Sequence, residues 1–183
     1  RHRPRTATIT SPEIRSGPPS DTTMRPTTRL LLSHPAHFIS LGFGAGLSPW
    51  APGTVGTLLG WALYPLIRTP VSEFVFLALL ASFFLAGVLA AERTGRALGV
   101  PDHGGIVWDE MVAIWLVLLF TPPGLLWQAV AVALFRFFDI VKPPPVRWAD
   151  RSFKGGFGVM FDDLVAAGYT LLVLAILVTL FGA

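Results

Sequence analysis

Two stretches of eighteen residues, 74–91 and 164–181, contain no charged side chain. A straight membrane crossing needs roughly 20 predominantly apolar residues, and these two segments come close to that length. Three shorter apolar segments, residues 55–67, 111–120 and 125–135, lie before and between them. Across the chain 52% of residues are hydrophobic and 14% charged, where a soluble domain carries roughly 25% charged residues. The expected fold is therefore all-α: a polytopic membrane helical bundle of about four to five apolar helices. The short segments either span with a tilt or pack side by side within the bundle. No internal repeat of fixed period is present. The absence of cysteine excludes disulfides and thiolate metal sites.

Charge is distributed unevenly. Residues 1–29 hold six arginines against Glu13 and Asp21, a net of +4 within a chain of formal charge +3, which leaves −1 for the rest. This Pro-, Thr- and Ser-rich segment reads as a disordered basic tail, with the membrane domain at 30–183. Met24 is a plausible start, with residues 1–23 as upstream sequence. Nucleic-acid binding calls for a basic surface on a folded element, and none is expected here. The run "LLLSHPAHFISL" is broken by Pro35 and lacks a small-residue cleavage site, so it does not read as a secretory signal.

Excess Lys and Arg marks cytoplasmic loops. The long connectors 92–107 and 139–160 carry Arg93, Arg96, Lys142, Arg147 and Lys154. Five crossings would place both connectors, the N-terminus and residues 42–53 on the cytoplasmic side, and the C-terminus outside. Every acidic residue of the core except Glu73 then falls on or beside that same face. Topology alone does not require this, because the inside rule counts cations rather than net charge.

Four constellations could carry chemistry. In "GFGAGLSPWAPGTVGTLLG", residues 42–60, six glycines and two prolines precede or lie in the opening of a helix, with Thr54 as a natural N-cap. Such an entry suits phosphate at a helix N-terminus, and equally suits a tight turn with small-residue helix packing. In "PDHGGIVWDEMVAIW", Asp109 and Glu110 sit in the first turn of an apolar helix, where acids complement the helix dipole. Asp102 and His103 stand on the loop before it; His103 is a candidate acid or base, or an exposed loop residue. Glu92 either joins this group or pairs with Arg96 at i,i+4. In "FRFFDIVKPPPVRWADR", Asp139 ends an apolar helix, and the proline run is expected to form an extended turn holding Lys142 and Arg147 toward an anion. In "KGGFGVMFDDLVAAG", Lys154 leads to Asp162 and Asp163 before the last apolar run. Adjacent helix residues point about 100° apart, so one aspartate is expected to face a site and the other its edge. N-capping would account for one of them.

Ionisable groups at membrane-proximal helix ends are functional candidates. Several carboxylates suit Mg²⁺, which is held by one or two carboxylates plus phosphate oxygens, and the interleaved cations suit the phosphate itself. The residues thus point to a metal-dependent enzyme acting on a phosphate at the lipid surface. An ion or proton transporter is the competing class, and it would need charges facing one another near the bilayer midplane.

These motifs, with "DHGGIVWDE" and "DIVKPPPVRWADRSFKGGFGVMFDDLVAAG" in this order, resemble the phosphatidylglycerophosphatase A family over about residues 35–180. The resemblance implies a Mg²⁺-dependent enzyme of phospholipid biosynthesis in the bacterial inner (cytoplasmic) membrane, with its site facing the cytoplasm. It would hydrolyse phosphatidylglycerophosphate to phosphatidylglycerol and inorganic phosphate. The family's D-E falls on Asp109 and Glu110, its D-D on Asp162 and Asp163, and its D-x-x-K-P-x-P on Asp139, Lys142, Pro143 and Pro145. Ala113 stands where many members have glycine. On this reading Asp109 and Asp162, with Asp139 or Glu110, would hold Mg²⁺, and Asp163 would act as base. Lys142, Arg147 and Lys154, with Thr54 and His103, would meet the substrate phosphate. Another lipid-phosphate phosphatase is the nearer alternative, although the D-x-D-x-T and S-G-H signatures of two such classes are absent.

Overall fold

The computed structural model describes residues 24–69, 71–144 and 146–182, and the expected tail over 1–23 and Pro145 of the proline run lie outside them. Every regular element among the described residues is helical, with no strand. In chain order the helices are α1 (Thr28–Ser33), α2 (Pro35–Ser40), a 3-10 segment (Gly42–Leu47), α3 (Pro52–Arg68), α4 (Glu73–Leu98), α5 (Trp108–Leu119), α6 (Leu125–Val141), α7 (Val146–Ser152) and α8 (Gly155–Phe181). Helix α1 starts inside the expected tail because Thr27 Oγ1 accepts the Leu30 N–H and caps it.

Two helices, α4 with 26 residues and α8 with 27, are long and apolar enough to cross a membrane. Both run further than the uncharged stretches that announced them. Helix α4 continues through Glu92, Arg93 and Arg96, where the Glu92–Arg96 pair at i,i+4 supports the extra turns. It stops at Gly99, whose φ of 75° gives a left-handed cap. Helix α8 opens at Gly155, well ahead of the aspartates, so neither Asp162 nor Asp163 is an N-cap; that position belongs to Lys154.

Helix α5 is the hub. It packs against α3, α4, α6 and α8, and nearly all its residues are buried. At 12 residues and about 1.5 Å per residue it is too short to cross a hydrocarbon layer of about 30 Å. Both its tryptophans are anchored through the indole N–H: Trp115 Nε1 donates to Gly60 O at 2.7 Å and Trp108 Nε1 to Phe83 O at 3.0 Å. The two indoles meet edge to face at 5.5 Å.

The glycines of residues 53–60 act in packing. A Cβ at Gly56 would lie 2.7 Å from Val107 Cβ, and one at Gly60 would lie 2.9 Å from Ile114 Cγ2. Gly53, Gly56 and Gly60 therefore form a small-residue seam that lets α3 close onto α5. The expected cap at Thr54 is displaced: α3 begins at Pro52, pre-organised for the first helical position, after Ala51 in the left-handed region at φ 42°, without a side-chain cap.

Candidate active site

The helix ends that carry acids converge at one end of the bundle. The N-termini of α3, α5 and α8 lie there with the C-termini of α4 and α6, as the contacts Gly53–Glu110, Glu110–Arg136 and Glu92–Gly156 show. The opposite end carries the Arg68–Glu73 pair, 3.8 Å apart.

Asp109, Glu110, Asp162 and Asp163 are all buried, at 8%, 8%, 5% and 3% exposure. Asp109 and Glu110 occupy the first turn of α5, where the positive helix end favours them. Asp163 reaches them from α8. One carboxylate oxygen from each of Asp109, Glu110 and Asp163 lies within 4.8 Å of the others. Asp109 Oδ1, Glu110 Oε2 and Asp163 Oδ2 are buried without a hydrogen-bond partner among the described residues. Three hard oxygen donors gathered and left unpartnered fit a hard divalent cation.

Asp162, about 100° around α8, stands at the edge of this trio and pairs with Lys142 Nζ. Lys142 reaches it because Pro143 cannot continue the helical ladder; Lys142 caps α6 in the left-handed region at φ 45°. Asp162 also borders a small cleft of about 60 Å³ with Asp102, Lys154, Gly155 and Gly158. The cleft opens beside the N-terminus of α8, whose positive end and Lys154 both favour an anion.

Asp139 lies in the last turn of α6, where a carboxylate opposes the dipole and calls for a cation. That cation is Arg136, one turn earlier: its Nη1 stands 2.8 Å from Asp139 Oδ2 and 3.5 Å from Glu110 Oε1, and donates to Thr57 Oγ1 at 3.3 Å. Sequence reasoning missed Arg136. The signal was available: a lone Arg inside an apolar helix, three residues before an Asp. Glu92 was also only partly read. It pairs with Arg96 at 2.6 Å, and its Oε2 accepts the Gly156 N–H at 2.7 Å, so it caps α8 from α4.

Other expected phosphate contacts lie apart. His103 Nδ1 accepts the Gly105 N–H at 3.0 Å, and the ring borders a separate depression with Arg25, Pro26 and Ser48. Arg147 is exposed on the short helix α7 rather than on an extended turn, with its backbone N–H bonded to Pro143 O. Thr54 is half-buried in the first turn of α3.

Among the described residues, an all-helical fold with two helices long and apolar enough to cross a membrane and a buried carboxylate cluster beside lysines has the form of a membrane-associated enzyme. The chain belongs to a family of that kind: the model for phosphatidylglycerophosphatase A matches residues 38–178. A phosphatidylglycerophosphatase A of Haemophilus influenzae is 43% identical over 150 residues, covering 81% of this chain and 91% of its own length. The Escherichia coli protein of the same name is 39% identical over 140 residues, covering 76% of this chain and 81% of its own. A Bacteroides thetaiotaomicron protein with the provisional name phosphatidylinositol-3-phosphatase is 43% identical over 145 residues, covering 75% and 90%. No solved structure matches the chain.

Proposed function

We propose that this protein is a Mg²⁺-dependent phosphatidylglycerophosphatase, releasing inorganic phosphate and leaving phosphatidylglycerol in the membrane. Two relatives that carry this activity in their names cover most of the chain. The observation that carries the chemistry is the set of three buried, unpartnered carboxylate oxygens on Asp109, Glu110 and Asp163. These three residues would hold the ion. When bound, it supplies Lewis-acid polarisation of the phosphoryl oxygens and lowers the pKa of water.

The chain's own groups supply the rest. Lys154 and the N-terminus of α8 draw the phosphate into the cleft bordered by Asp162. Lys142 pairs with Asp162 and fixes its position. Asp162 accepts a proton from the attacking water as the new P–O bond forms, and the departing glycerol oxygen takes up a proton from Asp162 or solvent as its bond to phosphorus breaks. This exchanges the roles first expected from the sequence: Asp163 takes a metal position and Asp162 that of the base. The substrate enters laterally, its acyl chains staying in lipid. The end of the bundle bearing Arg93, Arg96, Lys142 and Lys154 faces the cytoplasm of a bacterial inner membrane, and α3 and α6 insert beside α4 and α8. The transporter alternative draws no support from the family match.

The test is phosphate release from phosphatidylglycerophosphate by the detergent-purified protein, with Mg²⁺ or EDTA, and phosphatidylinositol 3-phosphate as a comparison substrate. Release from the first lipid that requires Mg²⁺ is expected. Release from the phosphoinositide alone would shift the substrate assignment, and no release from either would overturn the reading.

A further inference from the structure

We infer that Arg136 is a positioning residue for the metal centre, and that it shapes the site by withholding carboxylate oxygens from the ion. This rests on the metal reading of Asp109, Glu110 and Asp163. Five carboxylates converge at this end of the bundle, more than a Mg²⁺ ion takes, since it usually accepts one or two with water and phosphate oxygens. Two cations divide the set. Lys142 engages Asp162, and Arg136 engages Asp139 at 2.8 Å and Glu110 Oε1 at 3.5 Å. What remains unpartnered is Glu110 Oε2, with Asp109 Oδ1 and Asp163 Oδ2. Arg136 therefore leaves Glu110 with one oxygen turned to the guanidinium and the other to the cluster.

Its placement is tightly determined. The side chain is 15% exposed, its Nη1 is shared among Glu110, Asp139 and Thr57 Oγ1, and Thr57 is itself fixed by donating to Gly53 O at 2.9 Å. A Cβ on Gly53 would run into Glu110 Oε1 and lie 3.1 Å from Arg136 Nη2. The glycine thus makes room for the pair. Arg136 Nε is buried without a partner among the described residues, an unfavourable arrangement that a purely packing role for the side chain would not explain. Outer groups that orient metal ligands typically change metal affinity about 10–100-fold when lost.

The test is calorimetric titration of Mg²⁺ into the full chain in detergent, independent of turnover. Arg136→Gln is expected to weaken Mg²⁺ binding about 10–100-fold, and Arg136→Lys by less, because Lys keeps the charge but not the fork. In activity assays of Arg136→Gln, the Mg²⁺ concentration for half-maximal rate rises while KM for the lipid stays unchanged. Unchanged Mg²⁺ affinity in folded Arg136→Gln overturns the inference while leaving the metal site intact. Should that variant fail to fold, Thr57→Val removes an acceptor of Arg136 together with the Thr57 bond to Gly53 O; weakened Mg²⁺ binding supports the inference and unchanged binding overturns it. A wild-type chain that takes up no Mg²⁺ overturns it together with the metal assignment. Mg²⁺ binding without hydrolysis of phosphatidylglycerophosphate sinks only the substrate reading.

Discussion

At the scale of the residue, the centre is expensive to build. Three buried carboxylates within 4.8 Å repel one another and have lost their water. Asp163→Asn removes one charge and keeps the shape. In EDTA, this variant is expected to melt a few degrees above the wild type. Adding Mg²⁺ reverses the order: at a concentration 100 times Kd, binding stabilises the wild type by about 2.7 kcal/mol, and the variant forgoes most of this. Its activity falls at least about a hundredfold, since losing a few kcal/mol of transition-state stabilisation costs that much. Melting curves by intrinsic fluorescence, with and without Mg²⁺, check the crossover, and unchanged order in both would refute it. A second residue gives a pH signature away from the centre. His37 Nδ1 lies 2.9 Å from Thr94 Oγ1, and burial, helped by nearby His34 and Arg93, pushes its pKa below the usual 6.5. The unfolded chain then binds the proton more readily. The stabilisation is present above pH 6.5 and is lost as pH falls toward the folded pKa. His37→Gln is expected to flatten the fall in melting temperature between pH 6.5 and 5.

At the scale of the element, the acidic positions were legible in the sequence because a charge beside an apolar run is costly. Asp109, Glu110, Asp162 and Asp163 stood out for that reason, and all four are buried together. Their partners were not legible. Which oxygen faces which depends on how α6 and α8 rotate against α5, and that is set by packing rather than local pattern. Helix limits failed for a related reason: charges were read as loop, whereas Glu92 and Arg96 extend α4 and then fasten α8 through the Gly156 N–H. Glu92→Ala is expected to cost about 1 kcal/mol, the usual worth of a cap, read as a lower melting temperature with Mg²⁺ affinity unchanged. The α3 seam separates stability from function along a single helix. Gly56→Ala meets Val107, and such overpacking costs about 1–3 kcal/mol with little effect on rate in the folded fraction. Gly53→Ala meets the carboxylate of Glu110 instead, which can swing aside. It is expected to weaken Mg²⁺ dependence more than stability, and the opposite ranking in parallel melting and rate assays would reject this division.

At the scale of the whole molecule, the distribution of charge sets the expected orientation. The bundle end with the carboxylate centre also carries Arg93, Arg96, Arg147 and Lys154, while the far end offers Arg68 paired with Glu73. Cations near crossing ends orient a chain with that end inward. The proposed metal centre, on the opening turn of a helix too short to cross, would then lie below the cytoplasmic surface, within reach of Mg²⁺ and water. Lipid can arrive along α4 and α8 without leaving the bilayer. Because the chain has no cysteine, single introduced thiols report sidedness cleanly. Ala97 at the end of α4 is exposed, and Leu125 at the start of α6 is exposed at the far end. With a membrane-impermeant maleimide, Ala97→Cys is expected to label in inverted membrane vesicles and to stay unlabelled in spheroplasts, and Leu125→Cys to do the reverse. Labelling of both from the same side would mean that residues 98–124, with α5, do not carry the chain from one face of the bilayer to the other. The reversed pattern would put the carboxylate centre outside, where a cytoplasmic phosphate product could not form.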